Sequence, residues 1–262
     1  MDASINGRAN EVEVPLALDH SWETQHFIEM NGNLELEEES NHDLVSRLEK
    51  PLRVKREDLS SLNDNGNGDS KCTRKVDLGF LLDSSGSVGA INFDKMKSFV
   101  KNYTGYFKIS PNYTRVSVIK YQSGIQVQFL FSKLFVSQQD LNSAIDNILY
   151  AGGGTNTGGA LSKAYTDMFN VSYGARSSDA IKLLILLTDG ESFSPVDEPA
   201  ERLKDIGVRI FSVGISSDRL SIPQLRQMAS SPVDDHLFLL KDFTDFSNLA
   251  ENMTSTTCKG MV

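Results

Sequence analysis

Residues 83–87 have the sequence Asp-Ser-Ser-Gly-Ser and directly follow an apolar run at residues 76–82. The run has the length and composition of a buried strand. Asp83, Ser85 and Ser87 therefore place one carboxylate and two hydroxyls at alternate positions after the carboxyl end of a strand. These hard oxygen donors suit Mg²⁺, Mn²⁺ or Ca²⁺, and they do not suit Zn²⁺ or copper.

Two further segments carry oxygen donors of the same kind. Residues 152–158, Gly-Gly-Gly-Thr-Asn-Thr-Gly, place Thr155 in a glycine loop just before a helical pattern. Residues 183–190 form a second apolar strand that ends at Asp189 and a glycine. Taken singly, Ser85 and Ser87 would cap the following helix, and Asp189 would open a turn. Taken together, the three segments favour a metal site.

In this order and at this spacing, the three segments resemble the metal-ion-dependent adhesion site of the von Willebrand factor type A family. The resemblance covers roughly residues 75 to 258. It implies that a divalent cation, first of all Mg²⁺, is held by Asp83, Ser85, Ser87, Thr155 and Asp189. It also implies that an acidic residue of a protein partner completes the metal shell. The loop at residues 153–161 looks most like the extracellular matrix branch of the family, which includes matrilins, fibrillar-associated collagens and collagen VI.

The elements that must position these residues alternate between strand and helix patterns from residue 75 onward. Strands are predicted near residues 76–83, 115–121, 125–130, 181–188, 209–215 and 236–240, and helices near 91–107, 138–149, 157–169, 196–206, 221–229 and 242–254. The alternation predicts an α/β fold, a doubly wound, mostly parallel six-stranded sheet with helices on both faces. A tight turn at 122–124 predicts one antiparallel edge strand. Ligands of such sheets bind beyond the carboxyl ends of the strands.

The charge of the chain is concentrated at its front. The 262 residues carry a net charge of −9, of which −6 falls on residues 1–56. We interpret residues 1–56 as an acidic, weakly ordered propeptide and residues 57–74 as a flexible linker. Arg53, Lys55 and Arg56 match the pattern that furin-type convertases cut; the alternative is an ordinary solvated basic cluster. The type A domain is expected at 75–258, followed by a short tail at 259–262.

The cysteines and glycosylation sequons predict secretion. Cys72 and Cys258 bracket the predicted domain, so we expect a disulfide that ties its ends together; two unpaired surface thiols are the alternative. Four Asn-x-Ser/Thr sequons favour a glycoprotein, at Asn102, Asn112, Asn170 and Asn252. The first residues have no signal-peptide pattern, which indicates a fragment, a processed form or an intracellular protein. We favour the first two interpretations, because the cysteines and the sequons both indicate an extracellular protein.

Several functions find no support in the sequence. There is no basic-aromatic stripe typical of nucleic-acid binding, and no apolar run approaches the ~20 residues that span a bilayer. No nucleophile has a paired base, so we do not expect an enzyme, although a metal-dependent hydrolase is kept as a remote alternative. We expect a secreted matrix or adhesion protein that binds a protein partner through a cation. A structural or mineral-associated scaffold that self-associates is the main alternative.

Overall fold

The structure is a computed structural model and describes residues 71–246, 249–250 and 253–254. Within this part of the chain, six strands form one sheet in the order β3-β2-β1-β4-β5-β6. The edge strand β3 pairs antiparallel with β2, and the other pairs are parallel. The strands are β1 (Val76–Asp83), β2 (Thr114–Tyr121), β3 (Ile125–Phe129), β4 (Ile181–Thr188), β5 (Val208–Ile215) and β6 (Leu237–Leu240). The predicted sheet is confirmed, including its antiparallel edge.

Helices cover both faces of the sheet, as predicted. They are α1 (Gly89–Gly105), α2 (Gln138–Asp146), α3 (Thr157–Lys163), α4 (Asp197–Asp205), α5 (Ile222–Met228) and α6 (Val233–His236). One apolar core lies between the sheet and α1, α2 and the helical residues Phe246, Leu249, Ala250 and Met253. The second core lies between the sheet and α3, α4 and α5. Because alternate side chains of a strand point to opposite faces, the central strands contribute side chains to both cores.

Most helix ends lie within two residues of the prediction, and three larger or structurally informative differences occur. The helix expected at 157–169 stops being α-helical at Lys163 and continues as a π turn, Ala164–Met168. This turn seats Met168 against Gly79 of β1, where a Cβ would overlap the Met168 sulfur. The helix expected to reach residue 149 ends at Asp146, and Lys97 and Lys120 donate to the carbonyl oxygens of residues 146, 148 and 149.

The third difference concerns the last strand. It was expected from residue 236, but α6 occupies residues 233–236 and β6 begins one residue later. The ring of His236 is buried, and its Nδ1 lies 2.8 Å from the Pro232 carbonyl oxygen. This contact joins the last residue of the short helix to the residue that precedes its first turn, so His236 has a local structural role.

The amino end of the sheet is held by a buried ion pair. Arg176 donates from Nε to Asp77 Oδ1 at 2.8 Å and from its backbone N–H to Asp77 Oδ2 at 2.6 Å. Its guanidinium also donates to the Val76 carbonyl oxygen at 2.7 Å. Asp77 is 0% exposed, so this pair ties the segment before β4 to the start of β1.

No helix in the described part of the chain is both long and apolar enough to cross a membrane. The front segment 1–56, the linker up to residue 70, and the basic residues Arg53, Lys55 and Arg56 lie outside the described residues, as do Asn252 and Cys258.

Candidate metal centre

The two aspartates of the predicted site lie at the ends of neighbouring strands. β1 and β4 pair in parallel, with Leu82 opposite Leu187, so Asp83 and Asp189 leave the same edge of the sheet. Thr188 links the two strands there, because its Oγ1 donates to Asp83 Oδ2 at 2.7 Å. The pairing explains why residues about a hundred positions apart meet at one place.

A chain of short polar contacts joins four of the predicted residues. The Ser85 N–H donates to Asp83 Oδ1 at 2.8 Å, which turns the chain back over the strand end. The Ser85 and Ser87 hydroxyl oxygens lie 3.1 Å apart. Ser87 Oγ in turn donates to Asp189 Oδ1 at 2.7 Å. Both serine hydroxyls and both carboxylates therefore face one small volume.

Thr155 reaches the same volume from the glycine loop. A Cβ built on Gly190 would lie 3.3 Å from Thr155 Oγ1 and 3.9 Å from Ser87 Oγ. The loop is held by two backbone bonds, from the Gly86 N–H to the Gly153 oxygen at 2.7 Å and from the Gly152 N–H to the Ser84 oxygen at 2.9 Å. Gly152 and Gly153 have φ of 78° and 120°, which favours glycine at both positions.

The electrostatics of the site disfavour two bare carboxylates. Asp83 is 0% exposed and Asp189 is 3% exposed. Burial raises the pKa of Asp83 to about 6, although bonds from Thr188 and Ser85 oppose this shift. Burial likewise raises the pKa of Asp189 above its ordinary value, against the opposing effects of the Ser87 bond and of the positive charge of Arg219. A bound divalent cation would offset the cost of burying both negative charges.

The donor set fits a hard cation. It contains two carboxylates and three hydroxyls, which are the oxygen ligands that Mg²⁺ and Mn²⁺ take in proteins. Among the described residues, no group of three or more His, Cys, Asp or Glu is placed to hold a metal ion. Any cation held here must therefore use the neutral serine and threonine hydroxyls as well as the two aspartates.

Sequence reasoning missed the residues that support this set from behind. Thr188 bonds Asp83, and the Tyr150 hydroxyl donates to the Ser85 carbonyl oxygen at 3.1 Å. Ser192 Oγ accepts from the N–H groups of Thr157 and Gly158 at 3.1 and 3.3 Å, so it fixes the start of α3 next to the Thr155 loop. Only Thr188 had a readable signal, because it directly precedes Asp189 at the strand end.

The other predicted residues that the structure describes lie apart from this site. Asn102 is exposed on α1, Asn112 is exposed in the turn before β2, and Asn170 is half-buried. Asn170 already bonds the Thr166 oxygen and the Ser172 N–H. Cys72 is half-buried beside the end of α1, where its backbone bonds those of Tyr106 and Lys108.

Comparison with known proteins identifies the family to which this domain is similar. The profile described as von Willebrand factor type A domain matches residues 77–252. Human matrilin-3 is 34% identical over 188 residues, covering 71% of this chain and 38% of the relative. The mouse collagen alpha-4(VI) chain is 35% identical over 184 residues, covering 70% and 8%. The chain thus spans only a minor part of each of these two relatives.

Solved structures show the same fold. Proximal thread matrix protein 1 from the mussel byssus has a TM-score of 0.67 at 26% identity, covering 72% of this chain and 49% of that one. A second structure of that protein, with a zinc-occupied metal-ion-dependent adhesion site, has a TM-score of 0.66 at 26% identity, with the same shares covered. The profile match and the matrilin and collagen relatives together place the chain in the von Willebrand factor type A domain family.

Proposed function

We propose that this domain binds an extracellular protein partner through a divalent cation, and that the cation is held by Asp83, Ser85, Ser87, Thr155 and Asp189. The supporting observation is the chain of contacts from Asp83 through Ser85 and Ser87 to Asp189, closed by Thr155 beside Gly190. No catalytic role is proposed.

The five proposed ligands differ in charge. Asp83 and Asp189 supply negative charge, while the three hydroxyls supply neutral oxygen. The cation, when bound, stays electrophilic because three of its five protein ligands are neutral, and it offers a position for a carboxylate of the partner. Mg²⁺ is the first cation to test, followed by Mn²⁺ and Ca²⁺. The zinc-occupied site of the mussel protein adds Zn²⁺ to the test, against the expectation from ligand type alone.

We further propose that the protein is secreted into the extracellular matrix. The similarity to a matrilin and a collagen chain supports this setting, as do the sequons at Asn102, Asn112, Asn170 and Asn252. A disulfide between Cys72 and Cys258, and cleavage after Arg56 with release of the acidic front segment, belong to the same proposal. The last two features are tested by peptide mapping and by sequencing the amino terminus of the secreted protein.

The metal is tested by isothermal titration of the full chain with Mg²⁺, Mn²⁺, Ca²⁺ and Zn²⁺. The decisive variant is Ser85→Ala, because it removes one ligand hydroxyl without adding charge. Ser98→Ala is the matched control, since its hydroxyl bonds only the Asp94 carbonyl oxygen on the exposed face of α1. We expect saturable binding that falls at least tenfold in Ser85→Ala and is unchanged in Ser98→Ala. Equal affinities in the two variants would refute the assigned site.

The similarity to a thread matrix protein supports a second candidate function, a scaffold that self-associates without metal. Sedimentation velocity with and without EDTA distinguishes the two functions. A concentration-dependent oligomer that persists in EDTA would favour the scaffold, and a monomer under both conditions would count against it.

A further inference from the structure

We infer that Phe193 forms an apolar subsite beside the metal site, and that the partner carries a large apolar residue next to the acidic residue that reaches the cation. This inference rests on the proposed function and specifies the chemistry of its ligand. No residue of the predicted set belongs to this subsite.

Phe193 is unusual in combining an exposed ring with a fixed backbone. Its side chain is 66% exposed. Its N–H donates to the carbonyl oxygen of Thr155 at 3.0 Å, so it is bonded directly to the residue that carries a ligand hydroxyl. A Cβ built on Gly154 would lie 3.4 Å from Cε1 of the ring, so the ring lies against the glycine loop of the site.

The residues on either side of Phe193 are anchored by several bonds. The Ser192 hydroxyl donates to the Ser194 carbonyl oxygen at 2.8 Å, and the Ser192 backbone exchanges bonds with the Gln224 amide at 2.8 and 3.1 Å. The Ser194 hydroxyl donates to Asn156 Oδ1 at 2.6 Å. Because both neighbours are held, the backbone of Phe193 is fixed beside the metal site.

This arrangement distinguishes Phe193 from an ordinary exposed hydrophobic residue. Single exposed apolar side chains are common and usually need no explanation. An aromatic ring on an anchored backbone has only its two side-chain torsions left to order on binding, and large aromatic side chains are the residues that dominate interfaces.

The chemistry of the ligand follows from these two adjacent features. The cation takes a carboxylate, and the Phe193 ring takes an aliphatic or aromatic side chain within one or two residues of it. A polar or glycine neighbour would leave the ring in water. We therefore expect the partner segment to combine one Glu or Asp with a flanking Leu, Ile or Phe.

Two acetylated and amidated seven-residue peptides test this inference, Gly-Gly-Leu-Glu-Leu-Gly-Gly and Gly-Gly-Ala-Glu-Ala-Gly-Gly. Their affinities are measured for the full chain saturated with whichever cation the titration identifies. Half-burial of one leucine side chain corresponds to about a tenfold preference for the leucine peptide. In Phe193→Ala, we expect this preference to fall below about twofold, while the alanine peptide and the cation bind as in the unaltered protein.

The controls are Ile91→Ala and Tyr173→Ala, which shorten other exposed apolar side chains, 78% and 44% exposed. Both should keep the tenfold preference. The inference is overturned if the preference survives in Phe193→Ala, if it is lost in Ile91→Ala instead, or if neither peptide binds although the cation does. Failure of the cation to bind in the preceding titration is a separate result, and it refutes the proposed function itself.

Discussion

Asp83 holds a carboxylate at the end of a central strand, where its side chain is buried. In the metal-free domain, burial raises its pKa from 3.8 to about 6. The folded state therefore binds its proton more tightly than the unfolded state does. The contribution of Asp83 to stability is present below about pH 4 and is lost as the pH rises through about 6. Stability and function thus make opposite demands on this residue.

Replacing Asp83 with Asn should separate the two demands. We expect Asp83→Asn to abolish cation binding and yet to stabilise the metal-free protein at pH 7 by about 2 kcal/mol, because it removes a buried charge. The amide can still accept from the Ser85 N–H and can donate to Thr188. Urea denaturation in EDTA at pH 4 and pH 7 measures the effect, which should vanish at pH 4.

Asp94→Asn is the control, since Asp94 is exposed on α1 in an ion pair with Lys97. It should change stability by less than about 0.5 kcal/mol at either pH. If metal-free Asp83→Asn is less stable than the unaltered protein at pH 7, the buried Asp83 carboxylate does not destabilise the fold.

The proximity of the five proposed ligands was predictable because the signal is local and repeated. Each aspartate directly ends an apolar strand, and each hydroxyl sits at a fixed offset from a strand end or within a glycine loop. Ser192 carries no such signal. Its hydroxyl accepts the first N–H groups of α3, 34 and 35 positions earlier in the chain, and only the folded loop brings them within reach.

At the scale of elements, the close approach of α3 to the loop after β4 depends on Gly158. A Cβ at this position would overlap the Pro195 carbonyl oxygen and lie 2.7 Å from Ser194 Oγ. We expect Gly158→Ala to cost about 2–4 kcal/mol and to weaken cation binding, because both the Thr155 loop and the loop around Ser192 must move. Thermal unfolding and cation titration measure the two effects.

Gly105 provides the comparison for this substitution. It ends α1, and a Cβ there would meet nothing within 4 Å. Gly105→Ala should therefore be neutral or slightly stabilising, because alanine has less freedom in the unfolded chain. If Gly158→Ala is as stable as Gly105→Ala, the loop after β4 can shift without a loss of stability, and the predicted clash is wrong.

The buried pair of Asp77 and Arg176 fixes the opposite end of the sheet. Arg176→Met should cost about 3–5 kcal/mol, because it leaves the Asp77 carboxylate buried without its cation. Lys75→Met removes an exposed pair with Asp179 and should cost less than about 0.5 kcal/mol. Chemical denaturation compares the two variants, and similar losses would indicate that Asp77 finds another partner or admits water.

Most element positions were predictable, and the helix ends were not, for a physical reason. The spacing of apolar residues along the sequence predicts the centres of strands and the apolar faces of helices. The end of α2 depends on Lys97 and Lys120, which lie on other elements and bond the carbonyl oxygens of residues 146, 148 and 149. The Asp77–Arg176 pair joins residues 99 positions apart and has no local pattern.

At the scale of the whole molecule, the predicted disulfide would close nearly the entire domain. Cys72 lies at its beginning, beside the end of α1, and Cys258 lies beyond the described residues. We expect non-reducing peptide mapping of the secreted protein to recover a Cys72–Cys258 peptide. Replacing both cysteines by serine should cost about 4–5 kcal/mol, because the closed loop is long. Recovery of both thiols in alkylated form would contradict the pairing.

The path of β1 has a mechanical consequence. The chain enters the domain near Cys72, and β1 then runs for eight residues, roughly 25 Å, to Asp83. Tension between residue 71 and a partner gripped at the metal would therefore pull along β1. Parallel strands flank β1 on both sides, so the pull shears many hydrogen bonds at once rather than opening them one by one. If a partner binds at the proposed metal site, the entry of the chain and the bound partner would lie at opposite ends of one buried strand, and the force would act along a strand that is paired on both sides.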